Sequence, residues 1–334
     1  MIPFNDVFRC LLQTFDGSAV DDFRRFLERN SQVRKWFIAA DYCLRDKDKA
    51  NSVFALTVFP YDDHLQVMQA EIKAALPRDI KKSKEVTQEG IELLRDPRRF
   101  HFAFVFKEHP DIYAVGAQAT RLETARESLK LAINQLKDVG RTKPQLRRLN
   151  ALQQKSLSAS FNVTLLSDLT VLSILLCLVT LLIQRERPSE LVSWFSDRDN
   201  MTTWGEGAIW DIAVESVAGL SEHVGIPLPM QSVVVAEPDK ADAGSPWFDD
   251  LIRLPDFIAG LFASWDHTSN MIDAKVKYGQ LALGVAAQAQ NLAVLNVRWG
   301  KEFQVGRLVY SANTPPAAHE ATPGAPTSPS ETRL

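Results

Sequence analysis

The chain alternates short apolar runs with segments in which apolar residues return every three or four positions. Runs bounded by polar turns predict strands, and the three-to-four spacing predicts amphipathic helices. Residues 1–34 are helical on this pattern, with Val20, Phe23, Phe26 and Leu27 on one face and Ser18 and Asp21 as caps. Trp36 to Leu44 is a first strand, and period two puts Phe37, Ala39 and Asp41 on the same side of it. The charged segment Arg45 to Lys49 turns the chain into a second strand, Phe54 to Phe59, giving an antiparallel hairpin. His64 to Leu76 is an amphipathic helix stopped by Pro77. The basic run DIKKSKE and a short helix, Val86 to Leu94, lead to a third strand, Phe100 to Phe106.

Leu122, Ala125, Leu129, Ala132, Ile133 and Leu136 mark the next helix. Residues 138–148 are polar, basic and contain Pro144, which predicts a loop. A long helical region follows from about Leu146 to Ile183, broken near Ser156–Ser160. Leu191 to Asp197 is a fourth strand, Trp204 to Val224 a helix and Ser232 to Ala236 a fifth strand. Leu251 to Trp265 is helical with Pro255 near its first turn, 275–295 is an alanine-rich helix, and Leu295 to Val309 is strand-like. Four parts result: an N-terminal helical extension (1–34), a core (35–268) with a helical insertion at about 144–186, a helical and strand extension (269–311), and a tail (312–334). Pro, Ala, Thr, Ser and Gly dominate the tail, which predicts disorder.

Stripped of insertions, the order is strand, strand, strand, helix, strand, helix, strand, helix. Three strands can form an antiparallel meander, whereas the last two need crossover helices and run parallel. The expected fold is therefore α/β: a mixed five-stranded sheet flanked by helices, with strands one and four side by side at its centre.

Composition narrows the class without deciding it. The 334 residues are 46% hydrophobic and 24% charged, with a formal net charge of -3, so the surface is not a uniformly basic nucleic-acid coat. Cys10, Cys43 and Cys177 lack metal or redox spacing and fit free thiols in a reducing cytoplasm. The run Leu169 to Ile183 is apolar all round but falls short of the roughly 20 residues that span a bilayer. A buried core helix is the preferred reading; a membrane anchor is the alternative.

Three aspartates stand out because they close or interrupt apolar elements. Asp41 ends WFIAAD, Asp197 ends the fourth strand with Asp199 just beyond, and Asp256 lies within LPDFIAGLFASW. Carboxylates gathered at one place repel and call for a cation. Each also has an ordinary reading. Asp41 suits a strand-end turn, Asp199 a helix cap, and Asp256 a first helical turn. Most lysine runs are simply solvated, and an aromatic set such as Trp194, Trp204, Trp210, Trp247 and Trp265 more often builds a core than a base-stacking platform.

The strand order and these acids resemble the RNase H-like (retroviral-integrase-like) superfamily. Within it the chain resembles the bacterial domain-of-unknown-function family DUF3800. The matching stretches are the strand ending in Asp41, FALTVF, DIKKSKE and LPDFIAG (Leu254 to Gly260), within about 35–268. Where that family usually reads Asp-Glu-Ser-Gly, Tyr42 and Cys43 follow Asp41 here. The resemblance implies two-metal hydrolysis of phosphodiester bonds in RNA or DNA, in a mobile-element or phage-defence setting. It implies Asp41, Asp197 and Asp256 as catalytic metal ligands, with Asp199 or Glu85 assisting. An all-oxygen set expects Mg²⁺ or Mn²⁺. Lys82 and Lys84 would meet substrate phosphate. Two further expectations compete. One is an inactive binding or assembly subunit whose apolar insertion meets a protein partner or a second copy. The other is a membrane-anchored effector using Leu169–Ile183.

Overall fold

The computed structural model describes residues 4–62, 64–113, 118–138, 143–197, 199–228, 233–235, 246–300, 302–311 and 317–318. Its elements, in chain order, begin with α1 (Phe4–Asp16), α2 (Val20–Arg29), β1 (Lys35–Cys43), β2 (Ser52–Pro60), α3 (Leu65–Ala75), α4 (Gln88–Leu94) and β3 (Phe100–Phe106). Between β3 and β4 lie α5 (Gln118–Asp138), α6 (Lys143–Lys155) and α7 (Val163–Glu186), the last two covering the segment expected as an insertion at about 144–186. Then come β4 (Leu191–Ser196), α8 (Asn200–Thr203), α9 (Ala208–Val224), β5 (Val233–Val235) and α10 (Asp249–Ala263). A short ribbon, β6 (Trp265–Asp266) and β7 (Met271–Ile272), leads to α11 (Val276–Leu281), β8 (Leu292–Trp299) and β9 (Phe303–Leu308). Ala317–Ala318 pairs beside β7.

The fold is α/β, with a mixed sheet flanked by helices and ordered β5-β4-β1-β2-β3-β8-β9. The first five strands pair as expected: β1, β2 and β3 form an antiparallel meander, β4 runs parallel to β1, and β5 parallel to β4. The strand count is corrected from five to seven. The β8–β9 hairpin adds to the outer edge of β3, with β8 parallel to it. That edge would otherwise expose the unpaired backbone groups of a strand that is buried along its whole length.

Period-two alternation sorts side chains to two cores. Trp36, Ile38, Ala40, Phe54, Leu56, Phe102, Phe104 and Trp194 face the layer built by α1, α2, α5, α7 and α9. Phe37, Ala39, Val53, Ala55, Ala103, Val105 and Phe195 face α3, α4, α10 and α11. The expected shared side of Phe37, Ala39 and Asp41 is therefore the α10 side.

Helix α7 is long and apolar enough to cross a membrane by length and composition, and its apolar window is wholly buried. It packs against α1, α5 and α9 and shares their apolar core with the sheet. Its buried Asp168 is neutralised locally. Arg45 forms a two-pronged ion pair with it, one N–O distance being 2.8 Å, and His109 Nε2 lies 2.6 Å away. Ser52 Oγ, 3.0 Å from His109 Nδ1, completes the chain. Such pairing is what allows a carboxylate inside an apolar helix.

Several boundaries move. Helix α6 begins at Lys143, inside the segment expected to be a loop; a proline near a helix start lacks an N–H that would have no partner there anyway. The break before α7 falls at 156–162, and Asn162 Oδ1 caps the new helix by accepting from Leu165 N–H at 2.9 Å. Helix α2 opens at Val20 with no side-chain cap, while Ser18 Oγ donates back to the Thr14 carbonyl. The alanine-rich stretch leaves helical form after Ala286, and Leu292 already belongs to β8. Most of the tail, and the ends of the expected fifth strand, lie outside the described residues.

Candidate functional site

Strands β1 and β4 run parallel in register, Ala39 beside Phe195 and Ala40 beside Ser196. One residue further, each chain presents an aspartate: Asp41 and Asp197. Both fall on the α10 side by the alternation that buries Ala39 and Phe195 there. Helix α10 crosses that side and brings Asp256. The three aspartates, with Asp199, line one cavity of about 370 Å³ together with Tyr42, Cys43, Lys49, Arg78, Asp79, Lys81, Lys82, Asp249 and Tyr278.

Helix α10 starts at Asp249, so Pro255 is interior and Asp256 lies beyond the first turn. This corrects the first-turn reading of Asp256. Its Oδ2 accepts from the Ile80 N–H at 2.8 Å. Asp41 and Asp256 lie close enough for each carboxyl to bear on the other's titration. Burial, then the Asp256 and Asp197 charges, holds the Asp41 carboxyl well above the ordinary carboxylate range. Burial lifts Asp256 to about 6, against the stabilising Ile80 N–H. Both shifts describe a site where negative charge is crowded in a poorly solvated place.

The DIKKSKE segment is held from two directions. Asp79 caps a single 3-10 turn, Ile80–Lys82, by accepting from Lys81 N–H at 2.7 Å. Lys277, only 3% exposed, donates from Nζ to the Ile80 carbonyl and, at 2.9 Å, to that of Ser83. Ile80 is thus gripped at its N–H by Asp256 and at its carbonyl by Lys277. Gly260, one helical turn after Asp256, makes the close approach feasible, since a Cβ there would stand 2.8 Å from Ile80 Cδ1. The result presents Lys81 and Lys82 at the cavity, both exposed.

The expected residues divide as follows. Asp41, Asp197, Asp256, Asp199 and Lys82 come together; Lys84 and Glu85 are exposed and do not line the cavity. Asp199 is the N-cap of α8: its Oδ1 accepts from Met201 and Thr202 N–H at 2.8 and 3.0 Å and from Tyr42 Oη at 3.0 Å. Its ordinary capping role is therefore realised inside the cavity wall. Among the described residues, no three His, Cys, Asp or Glu side chains are drawn together as tightly as a metal's ligand shell. The donor chemistry still suits a hard divalent cation, because the lining carboxylates are oxygen-only and mutually repelling.

Lys49, Arg78 and Tyr278 were not singled out by sequence, and Lys81 entered only as a member of the basic run DIKKSKE. Lys49 comes from the β1–β2 turn, and its Nζ donates to Ser264 Oγ at 2.6 Å and Tyr278 Oη at 2.9 Å. Arg78 pairs with Asp249 at 3.2 Å. Nothing in local spacing marks them, though the lysine-rich turn after Asp41 was a legible signal. No family model, curated protein or solved structure matches this chain.

Proposed function

We propose that this protein is a metal-dependent hydrolase of phosphodiester bonds in nucleic acid, built on an RNase H-like sheet of the DUF3800 type. One observation carries the reading. Two adjacent parallel strands bring Asp41, within β1, beside Asp197, just past β4, and a helix crossing the same face adds Asp256 to their cavity. The strand order β3-β2-β1-β4-β5 within the sheet supports it as well.

Asp41, Asp197 and Asp256 would hold Mg²⁺ or Mn²⁺. Bound there, the metal supplies charge neutralisation and an activated water for attack on phosphorus. The protein's own part is to hold Asp41 and Asp256 at the cavity, to fix the Ile80 turn, and to present Lys81 and Lys82 to phosphate oxygens. The three unpaired cysteines are in keeping with a cytoplasmic setting.

The test uses the full chain with Asp41→Ala and Asp256→Ala. Millimolar Mn²⁺ is expected to raise the melting temperature of the wild type and to support cutting of labelled RNA or DNA, and both effects should vanish in the variants. Unchanged Mn²⁺ stabilisation and unchanged cutting in both variants would overturn the assignment.

A second reading, a binding or assembly subunit without catalysis, is favoured by one feature. Asp199 is committed to its cap and Glu85 lies outside the cavity, so neither of the two expected assisting carboxylates completes the set. In that case a partner would meet exposed apolar residues between β3 and β4, such as Leu131 and Leu157, rather than buried α7. Wild-type protein that binds strands or a partner stably but never cuts would favour it.

A further inference from the structure

Trp247 is 54% exposed and Tyr61 41%, whereas Trp36, Trp194, Trp210 and Trp265 are buried. The two exposed rings belong to one cluster. Phe37 lies between them, 4.7 Å from Tyr61 and 5.9 Å from Trp247 between ring centroids. Phe195 supports Trp247 from below at 5.0 Å, and Phe248 backs Phe195 at 5.0 Å. The rings are therefore fixed by packing while their outer surface meets solvent.

The cluster adjoins the acid cavity through two short connections. Phe195 precedes Asp197 by two residues on the same sheet face, about 7 Å along a strand. Trp247 precedes Asp249 by two, and Asp249 lines the cavity. An exposed aromatic surface thus continues into a cleft of carboxylates, Lys49, Arg78, Lys81 and Lys82.

We propose that Trp247 and Tyr61 form a base-stacking platform, so that the strand entering the cavity is single-stranded nucleic acid. This rests on the proposed phosphodiester chemistry and narrows its substrate. Two features select this occupant. Protein interfaces are depleted of charge at their core, whereas this aromatic surface runs straight into a charged cleft. Single strands combine a π-face for each base with a phosphate for each lysine, whereas a duplex keeps its base faces stacked inside.

The experiment measures fluorescence anisotropy of a labelled short single-stranded DNA or RNA with the full-length protein in EDTA, where cutting cannot intervene. Trp247→Ala is expected to weaken binding about tenfold or more. Trp247→Phe should restore most of it, and a strand of abasic sites should bind wild type as weakly as the normal strand binds Trp247→Ala. Equal binding by wild type and Trp247→Ala, or of abasic and normal strands, would overturn the platform. Should Trp247→Ala prove unfolded by its melting curve, Tyr61→Ala replaces it, with the same two outcomes. The two proposals fail separately. Trp247-dependent binding without any Mn²⁺-supported cutting removes the hydrolase reading and keeps the platform. Cutting that disregards both Trp247→Ala and strandedness removes the platform and keeps the hydrolase.

Discussion

Asp41 is an acid that the fold favours in its protonated form. Burial and the neighbouring Asp256 and Asp197 charges all oppose its ionisation, and Asp256 is itself lifted to about 6. A carboxyl whose folded pKa exceeds its unfolded value of about 3.9 binds more protons in the folded state. Its contribution to stability therefore declines as pH rises from about 4 through 6 and beyond. Asp41→Asn is expected to stabilise the protein at pH 7.5, read as a higher urea midpoint, with the gain fading below about pH 4. His101 acts in the opposite direction. Its Nε2–H donates to the Leu94 carbonyl and Nδ1 accepts from Thr57, and burial lowers it to about 4. That contribution is present above about pH 6.5 and lost as pH falls toward 4. The difference between variant and wild type, not the wild-type profile alone, isolates Asp41. A variant no more stable at pH 7.5 would mean that the acid pair is not under electrostatic stress.

At the scale of elements, the site depends on how closely the Ile80 turn sits on α10. Gly260 leaves the space that Ile80 occupies, and Asp256 on the same helix face receives the Ile80 N–H. Gly260→Ala gains about 1 kcal/mol of helix propensity but forces a methyl against Ile80, a packing conflict of about 1–3 kcal/mol. The expected net effect is a loss of about 1 kcal/mol. In the double variant with Ile80→Ala the same Gly260→Ala change should instead be neutral or stabilising, a coupling readable in a double-mutant unfolding cycle. Strict additivity would show that the contact is not tight. The sequence marked LPDFIAG and DIKKSKE as separate motifs. That they are two halves of one contact was not legible, because glycine's open side and a turn's N–H reveal their partner only in space.

For the whole molecule, the sheet separates two apolar cores, and α7 lies deep in one of them. Leu175→Asp would place an unpaired charge in that core and is expected to abolish the cooperative thermal transition seen by circular dichroism. Leu131→Asp, on an exposed face of α5, should change stability by no more than about 0.5 kcal/mol. A cooperative melt retained by Leu175→Asp would show that α7 is not a core helix. The same side chains thus have opposite weights depending on what surrounds them.

Hydrophobic period alone determined that the chain is α/β, where its first three strands lie, that β1 pairs antiparallel with β2, and that Asp41 shares a face with Phe37 and Ala39. These follow from local rules, since side-chain direction repeats every two residues in a strand and every three or four in a helix. Tertiary structure decided what periodicity does not encode. It placed β8–β9 at the edge of β3 and assigned Asp199 to its cap. It put Asp256 beyond the first turn of its helix, brought Lys49 and Lys277 to the site, and left Trp247 at the surface. Each of these depends on groups far apart in sequence meeting in a packed core. Their meeting is governed by burial and charge in three dimensions, and one chain read along its length does not contain it.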